Sequence, residues 1–278
     1  MLAAKLLRKK LIIRVPGDYV WEQAVQRWGV KEGIDDFQNK KYGRRVELMR
    51  KIQKWVVGSA DLVITPSRYF QKLVSGWVRN KEKVRVIYNG IDLQYQVSGI
   101  KYQERGKIIL SAGRLVPWKG FDTLIELMKE LPDWKLVIAG DGPDRERLEL
   151  GIRNLELRDR VTLIGSISRE ELLQYLGGAR VFVLNTSFES FSFQIVEAMN
   201  AGVPVVTTNI GNLAEIIENG KEGILVEPSN KEQILAAIKK LDGEEVFRHE
   251  IIESAREKAK QFSVENTVSQ LLGVLKGL

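Results

Sequence analysis

Glu189 and Glu197 stand eight residues apart in RVFVLNTSFESFSFQIVEAMNAGVPVVTTN, where an apolar run gives way to a polar loop, a helical segment and a second apolar run. A carboxylate can accept hydrogen bonds from two adjacent hydroxyls, such as those of a ribose, and such charged bonds contribute about 1.5–3 kcal/mol. Glu189 reads as lying near the start of the helix and Glu197 further along it. The spacing by itself is equally that of two solvated acids, or of acids that favour the helix dipole. A second cluster is GRLVPWKG, after KIILSA, which puts Arg114 and Lys119 on one loop between Gly113 and Gly120. Two cations there could neutralise a diphosphate that the glycine backbone lets approach closely, although a surface turn with solvated cations has the same composition. The third cluster is Gly140, Asp141 and Gly142, after WKLVIAG, where the amides of a helix start suit an anion. Arg145 stands where a dinucleotide fingerprint places its third glycine, which leaves an NAD reading weak.

These loops need a frame that presents them together. Nine short runs rich in Val, Ile and Leu read as strands: KLIIRV, DLVIT, KVRVIY, KIILSAG, WKLVIAG, RVTLIG, RVFVLN, VPVVTTN and GILVEP. They alternate with longer amphipathic stretches, as expected of buried parallel strands joined by helices. Ser168 with Glu171 and Ser229 with Glu232 form Ser-x-x-Glu patterns ahead of helical segments. The expectation is an α/β fold with parallel sheets, whose ligands bind beyond the carboxyl ends of the strands. LQYQVSGIKYQERG has no sustained apolar period and marks a boundary: 1–95 as a partial domain, 96–106 as linker, 107–260 as a complete doubly wound domain, and 261–278 as a closing helix.

The 278 residues suffice for two domains, and 44% hydrophobic with 28% charged residues excludes a disordered chain. No cysteine is present, which removes disulfides and thiolate metal sites and makes cytoplasm the default expectation. The apolar run Leu11–Ile13 is interrupted by Arg14 and Pro16, and no segment is long enough to span a membrane. The net charge of +7 favours anionic partners. No base-reading motif accompanies it, so nucleic acid is not an expected partner. Lys40, Lys41, Arg44, Arg45, Arg50, Lys51 and Lys54 gather between Asn39 and Trp55 on an expected helix, which is either a solvated basic face or a peripheral contact with anionic lipid.

In order, the Gly-Arg loop with a Lys five residues on, Gly-Asp-Gly-Pro, a strand ending Ile-Gly, and Glu-x(7)-Glu followed by Ala-Met and Gly-x-Pro-Val-Val resemble retaining glycosyltransferases of family four, from about Asp61 to the C-terminus. The resemblance implies the GT-B fold of two facing Rossmann-like domains. It also implies transfer of a sugar from a nucleotide-sugar donor, with retention, to a glycan or lipid-linked saccharide, as in cell-envelope polysaccharide synthesis. By it, Arg114 and Lys119 hold the donor diphosphate, Glu197 the ribose hydroxyls and Glu189 the transferred sugar. Gly113, Gly140, Asp141 and Gly142 join the donor site, amides around Phe191, Ser192 and Phe193 face phosphate or sugar, and Ile164 and Gly165 border the base. Tyr88, Asn89 and Gly90 form the turn toward the second domain. No Asp-x-Asp pair of the kind that positions Mg²⁺ occurs, so neither metal nor cofactor is expected and the two cations offset the leaving-group charge.

The sequence also departs from the family pattern. Where relatives carry a His after the strand corresponding to KLIIRV, this chain runs into Pro16, Gly17 and Asp18; its one His, His249, lies in a charged helical region. Asp18 is either a substitute for that His or a turn and cap residue. Ser190, Phe191 and Ser192 replace Gly-Phe-Gly. The family's first strands and its glycine-rich acceptor loop are expected ahead of Met1, so the chain reads as N-terminally incomplete. Trp21, Val25 and Trp28 have helical spacing and read as a core stripe rather than an acceptor platform.

Overall fold

In a computed structural model that describes residues 6–94 and 106–277, each of the nine apolar runs contains a strand, and every strand pairing is parallel. The chain divides into two units, Met1–Asn89 with Glu265–Leu278, and Gly90–Val264. Apart from Gly106, the expected linker lies outside the described residues.

The first unit carries β1 (Ile12–Arg14), β2 (Leu62–Thr65) and β3 (Val84–Val86) in the order β1-β2-β3. Between β1 and β2 run α1 (Tyr19–Trp28), α2 (Ile34–Asn39) and α3 (Arg44–Gly58), and α4 (Arg68–Ser75) joins β2 to β3. Asp18 caps α1, accepting from the amides of Val20 and Trp21 at 3.1 Å and from Gln38 and Gln53 at 2.8 and 3.0 Å. A buried carboxylate held by four donors is committed to structure. Trp21 is buried, with its indole N–H on the Glu32 carbonyl at 3.0 Å, whereas Trp28 at the end of the stripe is exposed.

The second unit contains β4 (Ile108–Ala112), β5 (Lys135–Ala139), β6 (Val161–Gly165), β7 (Val181–Leu184), β8 (Val205–Thr208) and β9 (Ile224–Val226), in the order β6-β5-β4-β7-β8-β9. The order reverses between β4 and β7, and a crevice at such a switch point is where doubly wound sheets bind ligands. Its helices are α5 (Phe121–Leu127), α6 (Arg145–Asn154), α7 (Arg169–Gly178), α8 (Phe193–Asn200), α9 (Leu213–Ile216), α10 (Lys231–Gly243) and α11 (Glu245–Ala259). Strand residues Ile109, Leu136, Ile138, Val181 and Val206 pack against Phe121, Leu148, Ile238 and Ile251 from these helices in one buried cluster. The last helix, α12 (Val264–Lys276), places Leu271 and Val274 against Leu62, Ile64 and Ile87 of the first unit.

The two expected helix starts differ in outcome. Ser168 and Glu171 form a complete capping box on α7. At α10 the cap is Asn230, whose Oδ1 accepts from the Gln233 amide at 3.0 Å. Ser229 is left-handed, at φ 58°, rather than in the extended backbone of a cap, and its amide donates to Asn185 Oδ1 at 2.8 Å.

The carboxyl ends of β4, β5 and β6 are laced by backbone bonds: the Gly113 amide donates to Ala139 (2.9 Å), Gly140 to Gly165 (2.7 Å) and Leu115 to Asp141 (3.0 Å). Gly140 has φ 135°, and a Cβ there would overlap the Gly113 carbonyl. Gly140→Ala is therefore expected to lower stability by about 3 kcal/mol or more. Urea unfolding measures it, and a midpoint equal to that of the parent chain would mean that the loops are not held at this separation.

Candidate functional site

A cavity of about 780 Å³ opens in the second unit beyond the ends of β4, β5 and β6. Of the sequence-derived candidates, Gly113, Arg114, Gly140, Asp141, Phe193 and Glu197 line it. Gly142 stays beside it, donating its amide to Asp141 Oδ1 at 2.7 Å. Ile164 and Gly165 end β6 short of the wall, which Ser166, Ile167 and Ser168 form instead. Phe191 and Ser192 are buried behind Phe193; Phe191 packs edge-on to Phe193 and Phe262 at 5.4 and 5.7 Å between ring centres. Gly90, expected in the interdomain turn, is also on the wall.

Lys119 and Glu189 pair with one another, both largely buried. A 3₁₀ turn over Pro117–Lys119 carries the lysine. The Trp118 carbonyl receives the Ser187 amide at 2.8 Å, and Asn185 Nδ2 donates to the Gly120 carbonyl at 2.9 Å. Gly120 is left-handed at φ 54°, and a Cβ there would meet the Asn185 carbonyl oxygen at 2.8 Å, so this close seam between the β4 and β7 loops requires glycine. Lys119 also lies against Gly113, its Cε 3.5 Å from where a Cβ would stand. The pair thus flanks the loop that contributes Gly113 and Arg114 to the cavity.

Glu189 is not in the helix to which its spacing assigned it. Ser192 is the cap of α8, accepting from the Ile195 amide at 3.4 Å, and α8 begins at Phe193. Loop and helix therefore aim the two acids at different cations. Glu197 lies within α8, only 6% exposed, and accepts from Arg169 Nε at 2.8 Å. Arg169 also donates from Nη2 to the Asp92 carbonyl at 2.7 Å, fastening the chain segment that enters this unit to α7 and α8. Burial pushes the Glu197 carboxyl above the ordinary range, and the Arg169 hydrogen bond opposes that rise without cancelling it.

Sequence reasoning missed Arg169 and Asp92. Arg169 directly follows Ser168, whose pattern with Glu171 signals only a helix cap, although the first residue after a strand-end loop is well placed to face a ligand. His249 is exposed on α11, away from the cavity wall. No group of three or more His, Cys, Asp or Glu suited to a metal occurs among the described residues.

Fold and cavity together define a doubly wound α/β ligand-binding unit. The profile of glycosyl transferases group 1 matches residues 98–258, and that of glycosyltransferase family 4 matches residues 3–95. The chain belongs to the group 1 glycosyl transferase family. Over 231 residues it is 32% identical to an uncharacterized glycosyltransferase of Methanocaldococcus jannaschii, covering 77% of this chain and 59% of that protein. Over 174 residues it is 32% identical to the alpha-D-kanosaminyltransferase of Streptomyces kanamyceticus, covering 61% of this chain and 45% of the relative. Anabaena HepE, solved in complex with UDP-glucose, superposes with a TM-score of 0.83 at 23% identity over 100% of this chain and 75% of its own, a likeness of fold. The α/β architecture with Rossmann-like units is thus of the GT-B type. The chain spans 59% of the length of the archaeal relative and 45% of that of the kanosaminyltransferase.

Removing Arg169 leaves Glu197 buried without this partner and moves its carboxyl still higher. The cost of that raised carboxyl is absent only below the unfolded-state value of a Glu, grows as the pH rises toward the folded value and is complete above it, so Arg169→Ala should lose about 1 kcal/mol near pH 8 and less near pH 5. The figure sits at the low end because Arg169 is one-third exposed. Urea unfolding at both pH values reads the difference, and an equal loss at both would disconnect Arg169 from the charge on Glu197.

Proposed function

We infer that the chain provides the donor site of a glycosyltransferase, moving a sugar from a nucleoside-diphosphate sugar to a hydroxyl of a glycan or lipid-linked saccharide with retention of configuration. The observation that carries this reading is that Arg114 and Glu197 line one cavity beyond the strand ends while the Lys119–Glu189 pair flanks the loop that carries Arg114. In the proposed complex the ribose hydroxyls donate to Glu197, and Arg114 with Lys119 meets the diphosphate. Charge develops there as the bond to the sugar breaks, and preorganised cations act on it without reorganising. Glu189, held at the same place by Lys119, faces the transferred sugar. Close passage of the backbone at Gly113, Gly140 and Asp141 admits the phosphates. Ser166 and Ile167, rather than Ile164 and Gly165, border the base. The two cations suffice for the leaving group in this scheme, and no metal or cofactor enters it.

A second reading is that the chain binds donor without turnover. Calorimetry with a panel of nucleoside diphosphates, followed by transfer assays with the matching labelled sugar nucleotides, separates the two. Binding with transfer supports the enzyme; binding without transfer or donor hydrolysis supports the binding-only form; absence of any nucleotide binding removes both. Arg114→Ala and Lys119→Ala are each expected to weaken diphosphate binding about tenfold or more. Unchanged affinity in both variants would contradict the assignment. Because Glu197 accepts from both ribose hydroxyls most strongly while ionised and its carboxyl is raised, affinity should fall on acidification at a higher pH than an exposed Glu would impose.

A further inference from the structure

The helix α3 of the first unit has two dissimilar sides. Val46 and Val57 are buried. Arg50 turns inward beside them: it donates to the Lys40 carbonyl at 2.7 Å, pairs with Glu47 at 3.1 Å and lies 3.8 Å over the Phe37 ring. Glu47 also accepts from the Tyr42 amide at 3.0 Å, so the one acid of this helix is occupied on the inner flank. The opposite side is apolar at its centre. Leu48, Ile52 and Trp55 are 59%, 50% and 61% exposed. At about 100° per residue they fall within an arc of about 60°, with Arg44 and Lys51 at one edge and Arg45 at the other. Arg44, Arg45, Lys51 and Lys54 are all exposed, and none takes an ion pair among the described residues.

We propose that this outward face of α3 docks on an anionic lipid surface. Three large apolar side chains leave water on insertion at the headgroup boundary, while the cations at their rim reach the lipid phosphates through flexible stems. The chemistry separates lipid from other covers. A protein segment seated on the triad would bury its apolar atoms but bring uncompensated cations into low dielectric, a cost that an anionic headgroup layer does not impose. A nucleic acid would satisfy the cations and leave Leu48 and Ile52 without a role, since backbone-tracking surfaces are charged and polar. No helix among the described residues is long and apolar enough to cross a membrane, so the contact is a peripheral one. It is independent of the donor site and stands or falls apart from it.

Co-sedimentation with vesicles of phosphatidylcholine alone, and of phosphatidylcholine containing phosphatidylglycerol, tests it. Binding is expected only to the anionic vesicles and should weaken with salt. Arg44→Gln with Lys51→Gln should reduce it roughly twentyfold or more, about fivefold per cation. The triple variant Leu48→Ala, Ile52→Ala, Trp55→Ala should reduce it about tenfold or more with all four cations in place. These positions are exposed, so thermal midpoints should match the parent chain. Absence of binding to anionic vesicles, or equal binding to both kinds, overturns the proposal. A triple variant that binds like the parent chain would mark a general polyanion patch and overturns it as well.

Discussion

The carbonyl of Gly113 occupies the space that a side chain at position 140 would need. Three parallel strands end side by side, and their exit loops must turn in different directions without separating, which is possible only if one backbone passes directly over another. The bonds from Gly113 to Ala139, from Gly140 to Gly165 and from Leu115 to Asp141 are the result of that approach and also what maintains it. The wall residues that follow β4, β5 and β6 inherit their position from this seam. Arg114 follows Gly113, Asp141 follows Gly140, and Ser166 follows Gly165, so each loop leaves the seam with its first side chain already beside the cavity.

The charged groups are set by a second constraint, the cost of leaving a buried carboxylate without a partner. Glu189 and Glu197 are largely or fully enclosed, and each is held by a cation from a different part of the unit: Lys119 from the β4 loop and Arg169 from the start of α7. Each pair therefore ties two loops together as well as satisfying an acid. That is a larger structural return than a surface pair gives, because separating either pair would strand a charge in low dielectric. On the cavity wall itself Arg114 and Arg169 stand with Asp92, Asp141 and Glu197.

The strands were legible because buried parallel strands are continuous apolar runs, and RVFVLN or VPVVTTN admits little else. Their sheet order was not, since pairing depends on contacts distant in sequence. The Gly-Arg-Lys loop was legible as a cluster because its residues are adjacent. The Glu-x(7)-Glu spacing misled locally: it suggests one helix face, but Ser192 caps α8 after Glu189 has already turned toward Lys119. Arg169 was illegible for the opposite reason, as nothing in its neighbourhood connects it to Glu197, 28 residues on. Ser229 shows how backbone conformation overrides a local motif: it is left-handed, with its amide on Asn185, and the cap is the next residue, Asn230.

Glu189 and Glu197 are both already paired, and what an incoming group does to each pair differs. Lys119 holds Glu189, so a diphosphate that takes Lys119 must replace one anionic partner with another and bring two negative groups near each other at the β4 loop. The net gain is then smaller than the attraction of a free lysine. For Glu197 the balance differs. Arg169 bonds Oε1, and a carboxylate has acceptor capacity on both oxygens, so hydroxyl donors can be added without displacing the arginine. One pair is thus suited to rearrangement and the other to fixed recognition, a division that follows from whether the incoming group competes with the carboxylate or donates to it.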